Sequence, residues 1–213
     1  MPGMSGHMVM AITGASGAVY GQRLAELLAR AGRHVHLVIS PMGFKLLGDE
    51  LGLARVSPAG LVGRALAKRV TLYRHDDLAA VISSGSFPTD GMAICPCSSH
   101  TLAAVAAGLA DNLVTRAAHV TLKEHRRLVL VHRESPLSPI EIDNMARVSR
   151  AGGIICPACP GFYHSPKSIG DLVDFVVCKT LDLLGVECDL PTRYAGESIP
   201  RIKDSKPRRG SRP

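Results

Sequence analysis

Two short polar turns carry residues that could bind an anion. GASG at 14–17 and CSSHT at 97–101 each follow an apolar run and precede a segment with helical periodicity. In such a turn the first backbone N–H groups of the helix and the positive end of its dipole point the same way. We expect Ser16 to cap the first helix. The turns therefore predict phosphate binding, although a capped turn that binds nothing has the same pattern and the G-x-G-x-x-G dinucleotide motif is absent.

A charged pair follows the apolar run LVLV at 128–131. Arg133 could hold a phosphate through two hydrogen bonds, and Glu134 in a dry cleft could have its pKa raised enough to transfer protons. If LVLV is a strand of a parallel sheet, both residues lie at its carboxyl end, where such sheets bind ligands. The alternative is a solvated ion pair at the end of the sheet.

Other cationic and hydroxyl side chains suggest a second phosphate site. Arg116 and Lys123 lie seven positions apart, two turns along one predicted helix, and form a basic stripe. Tyr163 follows the last predicted strand, and its hydroxyl suits a phosphate or the edge of the core. Lys179 lies among apolar residues of the closing helix, where a lysine usually extends its amine to water unless an anion is close.

The six cysteines do not require a metal. They include a C-x-C and a C-x-x-C, but a zinc site would need both pairs to converge. Cys95 and Cys156 end apolar runs, so we predict that they are buried as small hydrophobic residues. We therefore expect no metal.

Strand and helix patterns alternate along the chain, which predicts an α/β fold with a parallel sheet and right-handed crossovers. LVLV is expected to be a central strand, and 83–91 a surface loop near the site. Strands are predicted at 9–12, 34–39, 70–73, 92–95, 128–131 and 153–156. Helices are predicted after the first turn and at 42–51, 55–68 (weaker), 102–107, 112–125, 140–150 and 169–184.

Length and charge indicate one domain with a basic tail. A chain of 213 residues forms a single domain, which we place at 8–196 after a flexible leader at 1–7. Residues 201–213 carry +5 of the net charge of +7, and we expect the tail at 197–213 to be disordered. The tail could touch RNA or an anionic surface weakly, but we expect neither a nucleic-acid nor a membrane partner. A cytoplasmic protein is expected, because there is no signal-peptide pattern and no apolar run near the ~18 residues of a membrane span.

Several runs together resemble one known family. TGASGAVYG, GMAICPCSSHTLAAVAAG, LVLVHRESPLS, PGFYH and DLVDFVV occur in consistent order between 8 and 196. They resemble the UbiX-type flavin prenyltransferases, within the wider group of flavin-containing cysteine decarboxylase-like proteins. The resemblance implies a Rossmann-like, doubly wound parallel sheet in a single domain, and a homo-oligomer, usually a dodecamer, that binds FMN between subunits.

The resemblance also implies an activity. Such enzymes join a dimethylallyl group from dimethylallyl phosphate to N5 and C6 of reduced FMN, and UbiD-type decarboxylases use the prenylated product. Loss of phosphate from an allylic carbon needs cations on the leaving group. Lys and Arg side chains would supply them, and no acidic cluster for magnesium is evident in the sequence.

The family motifs carry roles over to particular residues. Catalysis falls on Glu134, Ser16, Arg133 and Lys123, with Glu134 assisting proton transfer as phosphate leaves. Tyr163 and Lys179 correspond to the positions that bind the prenyl phosphate, and Arg116, Lys123 and Arg133 assist them. The FMN positions are Gly14, Ala15, Ser16, Ser40, Ser98, Ser99, His100, Thr101 and Arg133. Many members have Met-Lys where this chain has Ser99-His100, so the second turn carries less positive charge here.

Two other functions remain open at this stage. An FMN-dependent decarboxylase of a cysteine-containing substrate would share the fold, but that class uses a His on an early helix and 41–52 (PMGFKLLGDELG) contains none. A non-catalytic, flavin-carrying subunit of a decarboxylase complex would keep the flavin site without needing Glu134.

Overall fold

The computed structural model describes residues 6–53, 55–188 and 190, which form one α/β domain. Its strands are β1 (His7–Ile12), β2 (His34–Ile39), β3 (Val70–Tyr73), β4 (Gly91–Cys97), β5 (Arg127–His132) and β6 (Ile154–Ile155). Its helices are α1 (Ala18–Arg30), α2 (Pro41–Leu51), α3 (Pro58–Val62), α4 (Ser99–Ala106), α5 (Leu113–Lys123), α6 (Pro139–Arg150) and α7 (Ile169–Leu184).

The strands pair in parallel in the order β3-β2-β1-β4-β5-β6. This is a doubly wound sheet, as the family resemblance implies, and the direction of the strand order reverses between β1 and β4. LVLV lies in β5, an interior strand that pairs with β4 on one side and β6 on the other, as expected. The crevice for a ligand is therefore expected at the carboxyl ends of β1 and β4, with β5 beside it.

Alternate residues of β1 belong to two separate cores, one on each face of the sheet. Met8, Met10 and Ile12 pack with α1 and α7, whereas Val9 and Ala11 pack with α4 and α5. Burying a large apolar side chain contributes about 1.5–3 kcal/mol, so both faces are needed for stability. The consequence for the site is that α5 and α7 lie on opposite faces of the sheet.

Two glycines allow the elements around the crevice to approach closely. A Cβ atom on Gly21 of α1 would lie 2.5 Å from the carbonyl oxygen of Cys95 in β4. A Cβ on Gly14 would lie 2.6 Å from the Cβ of Met42 in α2. The first turn and α1 are therefore fixed between β4 and α2.

Several predicted boundaries differ from the structure. His7, the last residue of the predicted leader, is the first residue of β1, and residues 1–5 lie outside the described part, as does the predicted tail at 197–213. The weak helix at 55–68 is shorter, since only α3 and a 3₁₀ turn at Ala67–Arg69 are helical there. Among the residues that the structure describes, there is no helix with both the length and the apolar character needed to cross a membrane.

The cysteines occupy distinct environments. Cys95 and Cys156 are buried free thiols, as predicted, and Cys97 is buried as well. Cys178 of α7 and Cys188 form a disulfide, a pairing that the spacing of the cysteines does not predict. Within 6–53, 55–188 and 190, the His, Cys, Asp and Glu side chains form no cluster that could hold a metal ion.

Candidate active site

A cavity of about 420 Å³ lies at the carboxyl ends of β1, β2, β4 and β5. Its volume is within the range of small-molecule sites. It is lined by Thr13, Gly14, Ser40, Pro41, Met42, His75, Ser98, Ser99, His100, Thr101, Asn112, Val114, Thr115 and Glu134. Seven of the residues assigned from the family motifs therefore face one space.

The N-termini of α2, α4 and α5 converge on this cavity, and the capping residue of each lines it. Ser40 Oγ accepts from the N–H of Gly43 at 3.0 Å, and Ser98 Oγ accepts from the N–H of Thr101 at 3.3 Å. Asn112 Oδ1 accepts from two N–H groups of α5 at 3.0 and 3.1 Å. Each N-terminus carries about half a positive charge, so the cavity favours an anion.

The N-terminus of α1 is capped differently from the prediction. Ser16 makes no capping hydrogen bond, because Gly17, in the left-handed region at φ 102°, takes the capping position. The carboxylate of Glu50 in α2 accepts instead from the N–H of Gly17 at 3.0 Å and of Ala18 at 2.8 Å. The Glu50 carboxylate thus already accepts hydrogen bonds from the free N–H groups at this helix end. Glu50 is absent from the predicted site because its partners lie more than 30 positions away in the chain.

Arg133 and Glu134 connect the two polar turns. Arg133 Nε donates to the carbonyl oxygen of Ser16 at 3.1 Å, and Glu134 Oε2 accepts from Ser99 Oγ at 3.1 Å. The predicted proximity of this pair to both turns is confirmed. The expected dry cleft is not formed by a single chain, because Glu134 is exposed.

His75 and Asn112 line the cavity but are absent from the predicted site. Burial lowers the pKa of His75, although Asp111 and Asp76 oppose that shift. The backbone oxygen of His75 accepts from the N–H of Leu113 at 2.8 Å, which fixes the loop before α5. An Asn directly before a helical run is a recognised capping signal and could have identified Asn112; His75 has no comparable signal.

The basic stripe of α5 faces the loop at 83–91. Arg116 Nε donates to the carbonyl oxygen of Ser83 at 3.0 Å. Lys123 forms an ion pair with Glu124, and both side chains lie against Gly85. The structure therefore places Arg116 and Lys123 beside the small polar loop that was predicted to lie near the site.

Tyr163 and Lys179 lie on the other face of the sheet. Tyr163 follows β6, is 66% exposed and packs edge-on against Phe175 of α7, with ring centroids 5.8 Å apart. Lys179 is an exposed residue of α7. Because α7 and α5 cover opposite faces, one chain does not bring these two residues together with Arg116 and Lys123.

Three other assigned residues lie in or beside the first turn. Ala15 is buried, Ser16 is exposed, and Arg133 reaches the turn from β5 through the hydrogen bond described above. His100 is exposed at the start of α4, in the positive field of that helix end. The geometry thus suits a ligand with an anionic group and a larger body, bordered by a carboxylate.

Comparison with known proteins gives consistent matches over most of the chain. The family model described as Flavoprotein matches residues 4–181. The flavin prenyltransferase UbiX of Methanothermobacter thermautotrophicus is 46% identical over 192 residues, which cover 90% of this chain and 97% of that protein.

Solved structures agree with this match. AnUbiX, crystallised in complex with FMN and dimethylallyl pyrophosphate, has a TM-score of 0.78 and 44% identity, covering 85% of this chain and 93% of that chain. The dodecameric FMN-dependent UbiX-like decarboxylase from Escherichia coli has a TM-score of 0.80 and 41% identity, covering 89% of this chain and 100% of that chain.

Proposed function

The chain belongs to the flavoprotein family, among its flavin prenyltransferases, and we propose that the cavity at the carboxyl ends of β1 and β4 is where it binds FMN. The enzyme is a prenyltransferase, with FMN as both cofactor and acceptor of the prenyl group. The reaction joins a dimethylallyl group to N5 and C6 of reduced FMN.

The observation that carries the site assignment is the convergence of the N-termini of α2, α4 and α5. A flavin phosphate carries the negative charge that these helix ends favour. Glu50 already occupies the end of α1, which supports placing the phosphate at the other helix ends. The proposed FMN-binding residues are Gly14, Ala15, Ser16, Ser40, Ser98, Ser99, His100, Thr101 and Arg133.

Loss of phosphate from the prenyl donor requires cationic side chains that bind the phosphate and a side chain that transfers a proton. We assign the phosphate to Arg116, Lys123, Tyr163 and Lys179, with Arg133 assisting. The catalytic group consists of Glu134, Ser16, Arg133 and Lys123, in which Glu134 holds the proton that moves as phosphate leaves. When bound, the reduced flavin supplies the electron-rich ring that the allylic carbon joins.

We propose that a complete phosphate site needs more than one copy of the chain. Arg116 and Lys123 lie on the face covered by α5, whereas Tyr163 and Lys179 lie on the face covered by α7. A neighbouring subunit could place its α7 face against the α5 face of the first. This supports a homo-oligomer, and the similar Escherichia coli protein suggests a dodecamer.

The product's recipient and the cellular location complete the proposal. We assign the prenylated flavin to a UbiD-type decarboxylase and the enzyme to the cytoplasm. Coexpression with such a decarboxylase, followed by a decarboxylation assay, tests the recipient, and fractionation of the cells tests the compartment.

The function is tested by incubating the purified oligomer with reduced FMN and dimethylallyl phosphate and recording the mass of the flavin. We expect a gain of one prenyl unit, and parallel reactions with the pyrophosphate identify the preferred donor. Glu134→Gln should lower kcat by about 10²–10⁴-fold, the usual contribution of a positioned acid or base, with little change in FMN affinity.

Asp143→Asn is the matched control, because Asp143 is an exposed carboxylate of α6 outside the proposed site. It should keep wild-type activity. An unchanged flavin mass with the wild-type enzyme and both donors would contradict the proposed function. Full activity of Glu134→Gln would contradict the role of Glu134.

The cysteine decarboxylase alternative lacks structural support, since neither α1 nor α2 carries the early-helix His of that class. A flavin-carrying subunit would leave its partner's decarboxylation unaffected by Glu134→Gln. The coexpression assay therefore separates the carrier from the enzyme.

A further inference from the structure

His132 is a buried imidazole behind the wall of the cavity. It ends β5, shares the face of Leu128 and Leu130, and is only 3% exposed. An apolar residue would be expected there, because burying a polar ring costs free energy unless its nitrogen atoms find partners. His132 does not line the cavity itself.

The link between His132 and the cavity is the hydroxyl group of Ser99. Ser99 Oγ lies 3.3 Å from Nε2 of His132 and 3.1 Å from Oε2 of Glu134. A hydroxyl has one proton to donate, and the Glu134 carboxylate can only accept. Ser99 therefore donates to Glu134 and accepts from the Nε2–H of a neutral His132.

This order of groups differs from a nucleophilic triad. In a triad the His lies between the hydroxyl and the carboxylate, so that it removes the hydroxyl proton. Here the hydroxyl lies between the His and the carboxylate, and its proton points to the carboxylate. The arrangement orients Glu134 and does not activate Ser99.

We propose that His132 is a positioning residue that holds the Glu134 carboxylate at the rim of the cavity through the hydroxyl group of Ser99. The proposal rests on the catalytic role assigned to Glu134 above. Glu134 is exposed in the chain and Ser99 is its one side-chain partner among the described hydrogen bonds. A buried imidazole anchored in the sheet gives that partner a fixed position.

The surroundings of His132 indicate how it responds to pH. Burial lowers its pKa, Glu134 and Glu141 of α6 raise it, and Arg133 lowers it. Cys97 is its neighbour in β4 and stays a neutral thiol, because burial raises the thiol pKa. Near neutral pH the ring is therefore neutral and donates one hydrogen bond to Ser99.

Two substitutions separate the hydrogen bond from the packing. His132→Leu fills the space without a donor, whereas His132→Gln can place an amide N–H near the former Nε2. We expect His132→Leu to lower kcat about tenfold, equivalent to one lost hydrogen bond, with KM for dimethylallyl phosphate and Kd for FMN within about twofold. His132→Gln should recover most of the loss.

A double-mutant cycle tests the route through Ser99. If His132 acts through that hydroxyl, Ser99→Ala/His132→Leu should be no slower than Ser99→Ala alone. The proposal would be overturned if the loss of kcat in the double variant equalled the product of the losses in the two single variants. It would also be overturned if His132→Leu lowered thermal stability or FMN binding but kept the kcat of the wild type.

A second readout does not depend on activity. NMR titration of the His132 ring in the flavin-free protein should give a lower pKa in Glu134→Gln than in the wild type, because the carboxylate that favours the imidazolium is removed. An identical ring pKa would overturn the proposal. Absence of prenylated flavin with the wild type, together with a shifted ring pKa, would contradict the proposed function and leave the His132–Glu134 link supported.

Discussion

The carboxylates of Glu50 and Glu134 contact different polar turns, Glu50 the first and Glu134 the second. Glu50 accepts from backbone N–H groups that begin α1, so its partners belong to the scaffold. Glu134 accepts from the hydroxyl of Ser99 in the cavity wall and from the backbone N–H of its neighbour Ser135. Proximity to a polar turn therefore does not by itself define a catalytic residue.

We predict that Glu50→Ala lowers the free energy of unfolding by roughly 0.5–2 kcal/mol, the usual cost of losing a helix cap. Glu50→Gln should cost less, because its amide oxygen still accepts from the N–H groups of Gly17 and Ala18. Urea unfolding curves measure both variants.

The control is Asp49→Ala on the same helix. Within the part of the chain that the structure describes, Asp49 forms an exposed ion pair with Lys45, and such pairs contribute about 0–1 kcal/mol. Equal destabilisation by Glu50→Ala and Asp49→Ala would show that the capping contacts do not stabilise α1.

Sequence reasoning at the residue scale succeeded where the signal was local. Arg133 and Glu134 follow directly from the end of β5, as the run LVLV predicts. It failed for Ser16, because Gly17 adopts the left-handed conformation and a distant carboxylate supplies the cap. Contacts between residues far apart in the chain cannot be predicted from the local spacing of residue types.

At the scale of elements, α7, β2 and β3 match their predicted bounds, whereas α3 and β6 are shorter than predicted. α7 matches its predicted bounds because apolar residues recur along 16 positions between a Ser cap and Gly185. β6 has only two residues, so its pairing with β5 decides its extent and the predicted strand at 153–156 was too long. Polar side chains can also form hydrogen bonds between neighbouring strands, as His7 of β1 and His36 of β2 do.

His36 of β2 is 4% exposed and links β1 to β3. Its Nε2 lies 2.9 Å from Nδ1 of His7, and its Nδ1 lies 2.9 Å from the hydroxyl of Tyr73. Burial, followed by the charges of His34 and His7, lowers the pKa of His36 to about 4. Because the ordinary value is 6.5, the unfolded chain takes up this proton before the folded chain does.

We predict that the stability contributed by neutral His36 is complete above about pH 6.5 and is lost as the pH falls towards 4. Urea midpoints between about pH 7 and pH 5 should fall more steeply for the wild type than for His36→Leu, which cannot be protonated. Parallel midpoint curves for the two proteins would show that His36 does not contribute to the acid sensitivity.

At the scale of the whole molecule, the division of cationic residues between two faces is the main result that the sequence could not provide. The order of these residues in the chain does not show on which face of the sheet each one lies. The packing of α5 and α7 on opposite faces separates Arg116 and Lys123 from Tyr163 and Lys179. The family resemblance anticipated an oligomer, and the fold gives a physical reason for one.

We predict that Arg116→Ala and Lys179→Ala each remove most activity and that co-expressing the two variants restores part of it. If one subunit supplies Arg116 and its neighbour supplies Lys179, random mixing leaves about a quarter of the sites intact. The flavin mass assay measures the recovery, and gel filtration confirms that assembly is unchanged. No recovery in mixed oligomers would place both residues in the site of a single subunit.

The helix ends around the cavity should also make the enzyme selective for the phosphorylated form of vitamin B2. Riboflavin has the same ring system but presents no anion to α2, α4 and α5. It should therefore dissociate readily, while the phosphate ester stays bound. Flavin prenylation would then begin only after a kinase has acted on the vitamin, so the supply of phosphorylated flavin limits how much prenylated flavin the enzyme can make.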